Sequence, residues 1–174
     1  MEAISVKNFG YVHMISYADL NFNDQIYLLK MRNDTSVRKW MFSQKVITEN
    51  EHLEFIGKLN KRTDVYYFLV KSKNIILGCV NFSDIVVGEC VRFGIFANPF
   101  GKIKGTGRVL EAAGMHYAQK MWDTRKIILE VFSNNLRAIN FYKKCGFKIV
   151  GSYRKQNLEV TQMEKLREFS ADGS

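Results

Sequence analysis

The segment VRFGIFANPFGKIKGTGRVLEAA, residues 91–113, limits the fold of this chain more than any other. Aromatic and β-branched residues fit for a buried strand run up to Pro99, the only proline in the chain. Gly101, Gly105 and Gly107 follow among Lys102, Lys104 and Arg108, and an apolar helical pattern opens directly after them. The first amides of a helix have no intrahelical partner, and the helix dipole adds partial positive charge there. Glycines let that backbone come close to a phosphate. Strand, loop and helix together read as an anion cradle with basic support; a turn that simply needs positive φ angles is the plainer alternative.

Two familiar phosphate cradles are excluded. A nucleotide-triphosphatase loop needs Gly-Lys-Ser/Thr after four spacer residues, and here Gly105 precedes Thr-Gly. A dinucleotide fingerprint in the register of Gly105 and Gly107 wants a small residue where Leu110 stands.

The rest of the chain supplies the frame. FGYVHMISY reads as a first strand, NDQIYLLKMRND as a helix capped by Asn23 or Asp24, and TENEHLEFIGKLN as a helix behind the Thr48–Glu51 capping box. VYYFLVKS, NIILGCVNFS and ECVRFGIF are strands joined by turns short enough for hairpins. KIILEVF is a further strand, and NNLRAINFYKKCGF is a helix with Asn at its start and Gly146 as a left-handed cap. KIVGSY and VTQMEKL close the chain as strands. The order β-α-α-β-β-β-α-β-α-β-β implies an α/β (α+β) fold, with helices on both faces of a mixed sheet.

With 174 residues and no repeat or linker, residues 1–174 read as one domain. Lys and Arg number 26 against 17 Asp and Glu, a formal charge of +9 that suits an anionic partner. The basic residues are dispersed, and no strand run carries the basic, aromatic-studded face of a single-strand nucleic-acid binder. No apolar run nears the roughly 20 residues of a membrane span, and the N-terminus lacks a secretory pattern. Cys79, Cys90 and Cys145 lack metal-ligand spacing and read as buried thiols in a reducing cytoplasm.

Two motifs resemble the GCN5-related N-acetyltransferases. The family's pyrophosphate loop, Gln/Arg-x-x-Gly-x-Gly/Ala, is matched by Lys102-Ile103-Lys104-Gly105-Thr106-Gly107. Its Asn-x-x-Ala-x-x-x-Tyr-x-x-x-Gly-Phe signature is matched by Asn135, Ala138, Tyr142, Gly146 and Phe147. The resemblance implies a mostly antiparallel sheet splayed between its fourth and fifth strands, with acetyl-CoA as cosubstrate and no metal. It places the pantetheine on the backbone of Gly94, Ile95 and Phe96, the pyrophosphate on residues 102–107, and Asn135 against the cofactor.

Acetyl transfer needs a neutral amine, a stabilised thioester oxygen and a proton for the leaving thiolate. The resemblance makes Tyr142 the acid; from periodicity alone it is a core aromatic. Glu130 interrupts an apolar strand, so it is either the base or half of a structural ion pair. No Cys–His or Ser–His arrangement is visible, so direct attack is expected over a covalent acetyl-enzyme.

The acceptor side resembles a narrower group, the acetyltransferases that act on a UDP-linked 4-amino sugar in pseudaminic acid biosynthesis. Arg32-Asn33, Trp40-Met41-Phe42-Ser43, His52-Leu53-Glu54-Phe55 and GIFANP carry that likeness, with Phe96 where a Tyr often stands. It implies Arg32, Trp40, Met41 and His52 as substrate contacts. Each has a structural alternative: Arg32 and His52 as capping or solvated residues, Trp40 as core. The expected partners are small molecules, with a homodimer left open; a protein N-terminal acetyltransferase is the second reading.

Overall fold

The computed structural model describes residues 2–101 and 103–167. Eight strands among these residues form one sheet: β1 (Glu2–Val6), β2 (Gly10–Ser16), β3 (Val65–Ser72), β4 (Ile75–Val86), β5 (Cys90–Ala97), β6 (Lys126–Phe132), β7 (Lys148–Lys155) and β8 (Leu158–Leu166). Their order is β1-β2-β3-β4-β5-β6-β8-β7, antiparallel throughout except for β5 beside β6. The helices are α1 (Phe22–Asn33), the single turn α2 (Thr35–Arg38), α3 (Glu49–Leu59), α4 (Thr106–Trp122) and α5 (Leu136–Lys144). The expected mixed sheet with helices on both faces is present.

Two apolar clusters hold the layers together. Val109, Leu110, Ala113 and Ala118 of α4 and Ile139 and Tyr142 of α5 pack on Val80, Phe82, Val91, Phe93, Leu129 and Met163 of the sheet. On the other face, Leu28 and Met31 of α1 and Ile56 of α3 cover Leu69 and Cys79. The strand residues of this second cluster come from β2 to β5, so β6 lies beyond it.

Local signals set most boundaries. The Thr48–Glu51 capping box forms in both directions, and Gly146 takes φ 90° after α5. The cap of α1 differs from expectation: Asn21 Oδ1, not Asn23 or Asp24, accepts from the amide of Asp24 at 2.9 Å. Strand β1 is also additional. EAISV buries Ile4 and Val6 between exposed Ala3 and Ser5, and a hairpin with Asn8 at φ 64° returns it to β2. Its period-two pattern spans only two buried residues, too few to stand out before the pairing with β2 is known. Cys79 and Cys145 are buried free thiols as expected, whereas Cys90 is half-buried. Burial pushes the Cys79 thiol up to about 12, which makes it inert.

The contact of α4 with β5 is tight at Gly114, where an added Cβ would lie 2.4 Å from Cε2 of the buried Phe93 ring. Gly114→Ala should therefore destabilise the fold. Overpacking of about 1–3 kcal/mol exceeds the gain in helix propensity of about 1 kcal/mol. Urea unfolding measures this directly, and an unchanged midpoint would show that Phe93 has room to move.

Candidate active site

The site begins where two parallel strands stop pairing. β5 and β6 share three rungs, Cys90↔Lys126, Val91↔Ile127 and Arg92↔Ile128. Beyond Arg92 the ladder ends, while β5 stays paired to β4 as far as Gly78↔Ala97. One edge of Phe93–Ala97 therefore presents backbone groups without a strand partner. Glycines shape this half of the strand. A Cβ at Gly94 would meet the Asn81 amide at 2.7 Å, and one at Gly78 would meet the Phe96 carbonyl at 2.3 Å.

The turn that follows is anchored by buried Asn98. Its side chain donates to the carbonyl of Ile76 at 2.9 Å and accepts from the amide of Phe100 at 3.0 Å. Gly105, at φ 89°, is the N-cap of α4 and offers no side-chain cap. The amides of Lys104 and Gly107 find no partner among the described residues. Gly107 also lets the first turn of α4 lie against α5, since a Cβ there would sit 3.1 Å from the Phe141 ring. Ile103 and Lys104 are exposed and Thr106 is buried, its hydroxyl donating to the carbonyl of Ile103 at 2.8 Å. Lys102 lies outside the described residues. Arg108 departs from its expected role as charge support, because its guanidinium donates to the carbonyl of Lys144 at the end of α5. Asn135 caps α5 through Oδ1, accepting from the amide of Ala138 at 3.2 Å, which leaves its NH2 group to donate.

Glu130 sits on β6 just past the point where the strands part. Leu129 and Val131 turn into the α4–α5 core, so Glu130 faces the opposite side, its side chain 12% exposed. Arg92, on the last rung, forms an ion pair with Glu130 Oε1 and also holds Asp84 at 2.5 Å. Burial works against the Arg92 charge, but Asp84 and Glu130 outweigh it and raise the guanidinium pKa. Tyr153 of β7 makes a hydrogen bond to Glu130; desolvation, then that bond, pushes its phenol up to about 12. Of the two alternatives for Glu130 the structure shows the ion pair, and it sets that carboxylate just past the last β5–β6 rung. Tyr142 is 7% exposed, its ring against Phe141 and Phe147, and burial raises its pKa well above the ordinary phenol value.

The third wall is the loop after α2. Arg32 Nη2 donates to the carbonyl of Ser43 at 2.9 Å, and Arg38 Nη1 donates to that of Gln44 at 2.8 Å. The Asn33 side chain brackets Ile47, donating to its carbonyl at 2.7 Å and accepting from its amide at 2.9 Å. The loop so held carries Trp40, 38% exposed and not core, and half-buried Met41. Phe42 packs edge-on against Phe132 at the end of β6, under the ammonium of Lys155. Arg32 Nη1 and Arg38 Nε are buried without a hydrogen-bond partner. Burial, then the charge of Arg38, lowers the Arg32 pKa. His52 differs from expectation. It is 4% exposed, and its Nε2 lies 2.9 Å from the carbonyl of Gln25, so the ring ties α3 to α1 rather than facing a ligand.

A strand parting from its neighbour, a glycine turn whose Lys104 and Gly107 amides lack a partner among the described residues, and a helix start follow one another along the chain. Residues 29–147 of the chain match the Acetyltransferase (GNAT) family. The chain belongs to that family. It is 30% identical over 138 residues to Acetyltransferase PseH of Campylobacter jejuni subsp. jejuni serotype O:2, covering 79% of this chain and 85% of that protein. The same-named protein of serotype O:23/36 is 29% identical over 138 residues, with the same coverage. The crystal structure of Campylobacter jejuni N-acetyltransferase PseH in complex with acetyl coenzyme A superposes with a TM-score of 0.72 at 22% identity, covering 90% of this chain and 99% of that one. Spermidine N-acetyltransferase from Vibrio cholerae, in complex with CoA and spermine, superposes with a TM-score of 0.77 at 21% identity, covering 89% and 95%.

As a family member the chain is an acetyl-CoA-dependent N-acetyltransferase. The gap beside Phe93–Ala97 and the amides of Lys104 and Gly107, unpartnered among the described residues, fit an extended arm that ends in a diphosphate. The sequence had named the turn and the gap but not the residues that hold them. Asn81 and Arg92 belong to no motif, and Asn33 and Asn98 sit in motifs that do not reveal their structural part, so each is recognised only through its partner in space.

Burial of His52 has a pH signature. Desolvation lowers its folded pKa, although the Gln25 carbonyl opposes this, whereas the unfolded ring takes a proton near about pH 6.5. The unfolded state then binds more protons, so stability is full above about pH 6.5 and falls as pH drops towards the depressed folded value. His52→Gln should flatten the dependence of the urea midpoint between pH 7 and 5. Superimposable wild-type and variant curves would show that the ring is not held neutral.

Proposed function

We propose that this enzyme moves the acetyl group of acetyl-CoA to the 4-amino group of a UDP-linked 4-amino-4,6-dideoxy-N-acetyl-altrosamine, by direct attack in a ternary complex. The observation that carries this reading is the pair Arg32 and Arg38. Each has a buried nitrogen without a partner, and no carboxylate among the described residues pairs with either. Two neighbouring, partly desolvated cations are stabilised by an anion placed between them. A nucleotide diphosphate supplies that anion; a polyamine or a peptide amino terminus would add like charge. Exposed Trp40, with Met41 beside it, offers a face for a base or for the sugar's methyl group. The resemblance of Arg32-Asn33 and Trp40-Met41 to the pseudaminic acid enzymes, and the relatives named Acetyltransferase PseH, point the same way.

In this reading the thioester lies along the open edge of β5, with its carbonyl oxygen accepting from the amide of Ile95 or Phe96. The pyrophosphate lies on the turn at residues 102–107, and the Asn135 amide donates to the cofactor. The neutral amine attacks the carbonyl carbon, so a C–N bond forms as the C–S bond breaks. Glu130 receives the ammonium proton through a water. Arg92 engages Oε1, which leaves the carboxylate further lone pairs for that water. Tyr142 donates its proton to the departing sulfur. Burial keeps the phenol protonated, so it is a donor throughout the working pH range.

Glu130→Gln and Tyr142→Phe should each lower kcat by roughly 10²–10³-fold with little change in KM for acetyl-CoA. Rates within twofold of wild type in both would remove the assigned roles. Arg38→Met should raise KM for the UDP-amino sugar by roughly 10–100-fold and leave that for acetyl-CoA unchanged. Free-thiol release, measured with UDP-amino sugars, spermidine and peptides as acceptors, tests the substrate class. Preference for spermidine or a peptide would overturn it.

A further inference from the structure

Strands β4 and β7 each lie two places from β6, on either side of it, and each breaks register once against the strand between. Both breaks serve Glu130. On β7, Ile149 pairs with Met163 and Gly151 with Gln162, so Val150 is an extra residue. Continued without it, the register of Ile149 would set Tyr153 against Glu159, and alternation would turn the ring to the α4–α5 side. With it, Tyr153 pairs with Val160, which pairs in turn with Phe132. Tyr153 thereby shares the face of Glu130, which stands two residues before Phe132 on β6. Gly151 is level with Glu130 across Gln162 and puts no side chain beside the carboxylate. The Tyr153 hydroxyl reaches Glu130 and donates to it.

On β4, the pairs Ser83↔Arg92 and Val86↔Cys90 leave Asp84 and Ile85 opposite the one residue Val91. Asp84 takes φ 49° in this bulge, a left-handed backbone that Asp adopts more readily than most residues. Its carboxylate meets Arg92 Nε at 2.5 Å, and the same guanidinium holds Glu130 Oε1. The terminal torsion of a glutamate is broad and two-fold, so one contact alone leaves the carboxylate plane free to turn. A second contact, from Tyr153, removes that freedom. Charge balance does not call for the phenol: two carboxylates already face one guanidinium, and a neutral donor adds only direction.

We propose that Tyr153, and Asp84 acting through Arg92, are positioning residues that hold the Glu130 carboxylate in the orientation in which it accepts the proton of the attacking amine. The inference rests on the reading of Glu130 as the base, and not on which amine is acetylated. Re-aiming a side chain beside an active site is a known use of strand bulges, and here two of them act on one carboxylate.

Single-turnover acetyl transfer tests it, with acetyl-CoA and whichever of a UDP-amino sugar, spermidine or a peptide wild type acetylates fastest. Tyr153→Phe removes only the hydroxyl, and Asp84→Gly keeps the left-handed backbone while removing the carboxylate. The first should slow transfer about tenfold and the second about fivefold, with acetyl-CoA affinity changed less than about twofold. In the Glu130→Gln background neither should slow the residual transfer by more than about twofold, since both act through that carboxylate. A purely structural part would slow both backgrounds alike. Equal losses in the two backgrounds, or either single variant at the wild-type rate while Glu130→Gln is slow, would overturn the inference and leave the base in place. Glu130→Gln at the wild-type rate would remove the base itself, and the positioning residues with it.

Discussion

The active site depends on where β5 stops pairing with β6. Three parallel rungs keep the two halves of the sheet in one layer, and the ladder ends after Arg92↔Ile128. A fourth and fifth rung would occupy the backbone groups of Phe93–Ala97 and close the gap. Unpaired backbone in a sheet interior is costly unless water or a ligand satisfies it. A ligand with alternating amide donors and acceptors, such as the pantetheine arm, can complete the β5 ladder. On the opposite face the second apolar cluster, under α1 and α3, does not extend to β6, which leaves room there for the acceptor of the proposed reaction.

The loop proposed to face the acceptor is tied to α1 and α2 by hydrogen bonds to its main chain. Arg32, Asn33 and Arg38 each bind the backbone of residues 43–47, and Phe42 reaches Phe132 at the far lip of the gap. The loop thus spans the mouth from α2 to the end of β6. A segment held by polar contacts at its base opens more readily than a packed helix. Under the proposed function, that suits a wall which admits a bulky nucleotide sugar.

The sequence revealed these features unevenly, for physical reasons. The glycine turn was legible because Gly105 must supply φ 89° and Gly107 must tolerate Phe141, so composition reports backbone geometry. The capping box was legible because it is local. What stayed hidden was set by distant partners. The Glu130 ion pair needs Arg92 from another strand, and the burial of His52 follows from a carbonyl 27 residues earlier. Arg108 looked like part of the anion cradle by proximity in sequence, yet the helix C-terminus that it caps belongs to α5. Strand β1 was missed because two buried residues do not make a pattern.

Register is what delivers Glu130 to the gap. On β6, Ile127, Leu129 and Val131 enter the α4–α5 core, each worth about 1.5–3 kcal/mol of burial, and alternation then turns Glu130 outward. A slip of one residue would bury the carboxylate and expose three apolar side chains. Two ladders oppose such a slip: the three rungs to β5 and the seven antiparallel pairs to β8, among them Glu130↔Gln162. Tyr153 on β7, paired with Val160, brings its hydroxyl to the carboxylate from the second strand over. The carboxylate is therefore located by the core beneath it and oriented by Arg92 and Tyr153. Its position survives the end of β5–β6 pairing because β8 carries the register past the point where β5 departs.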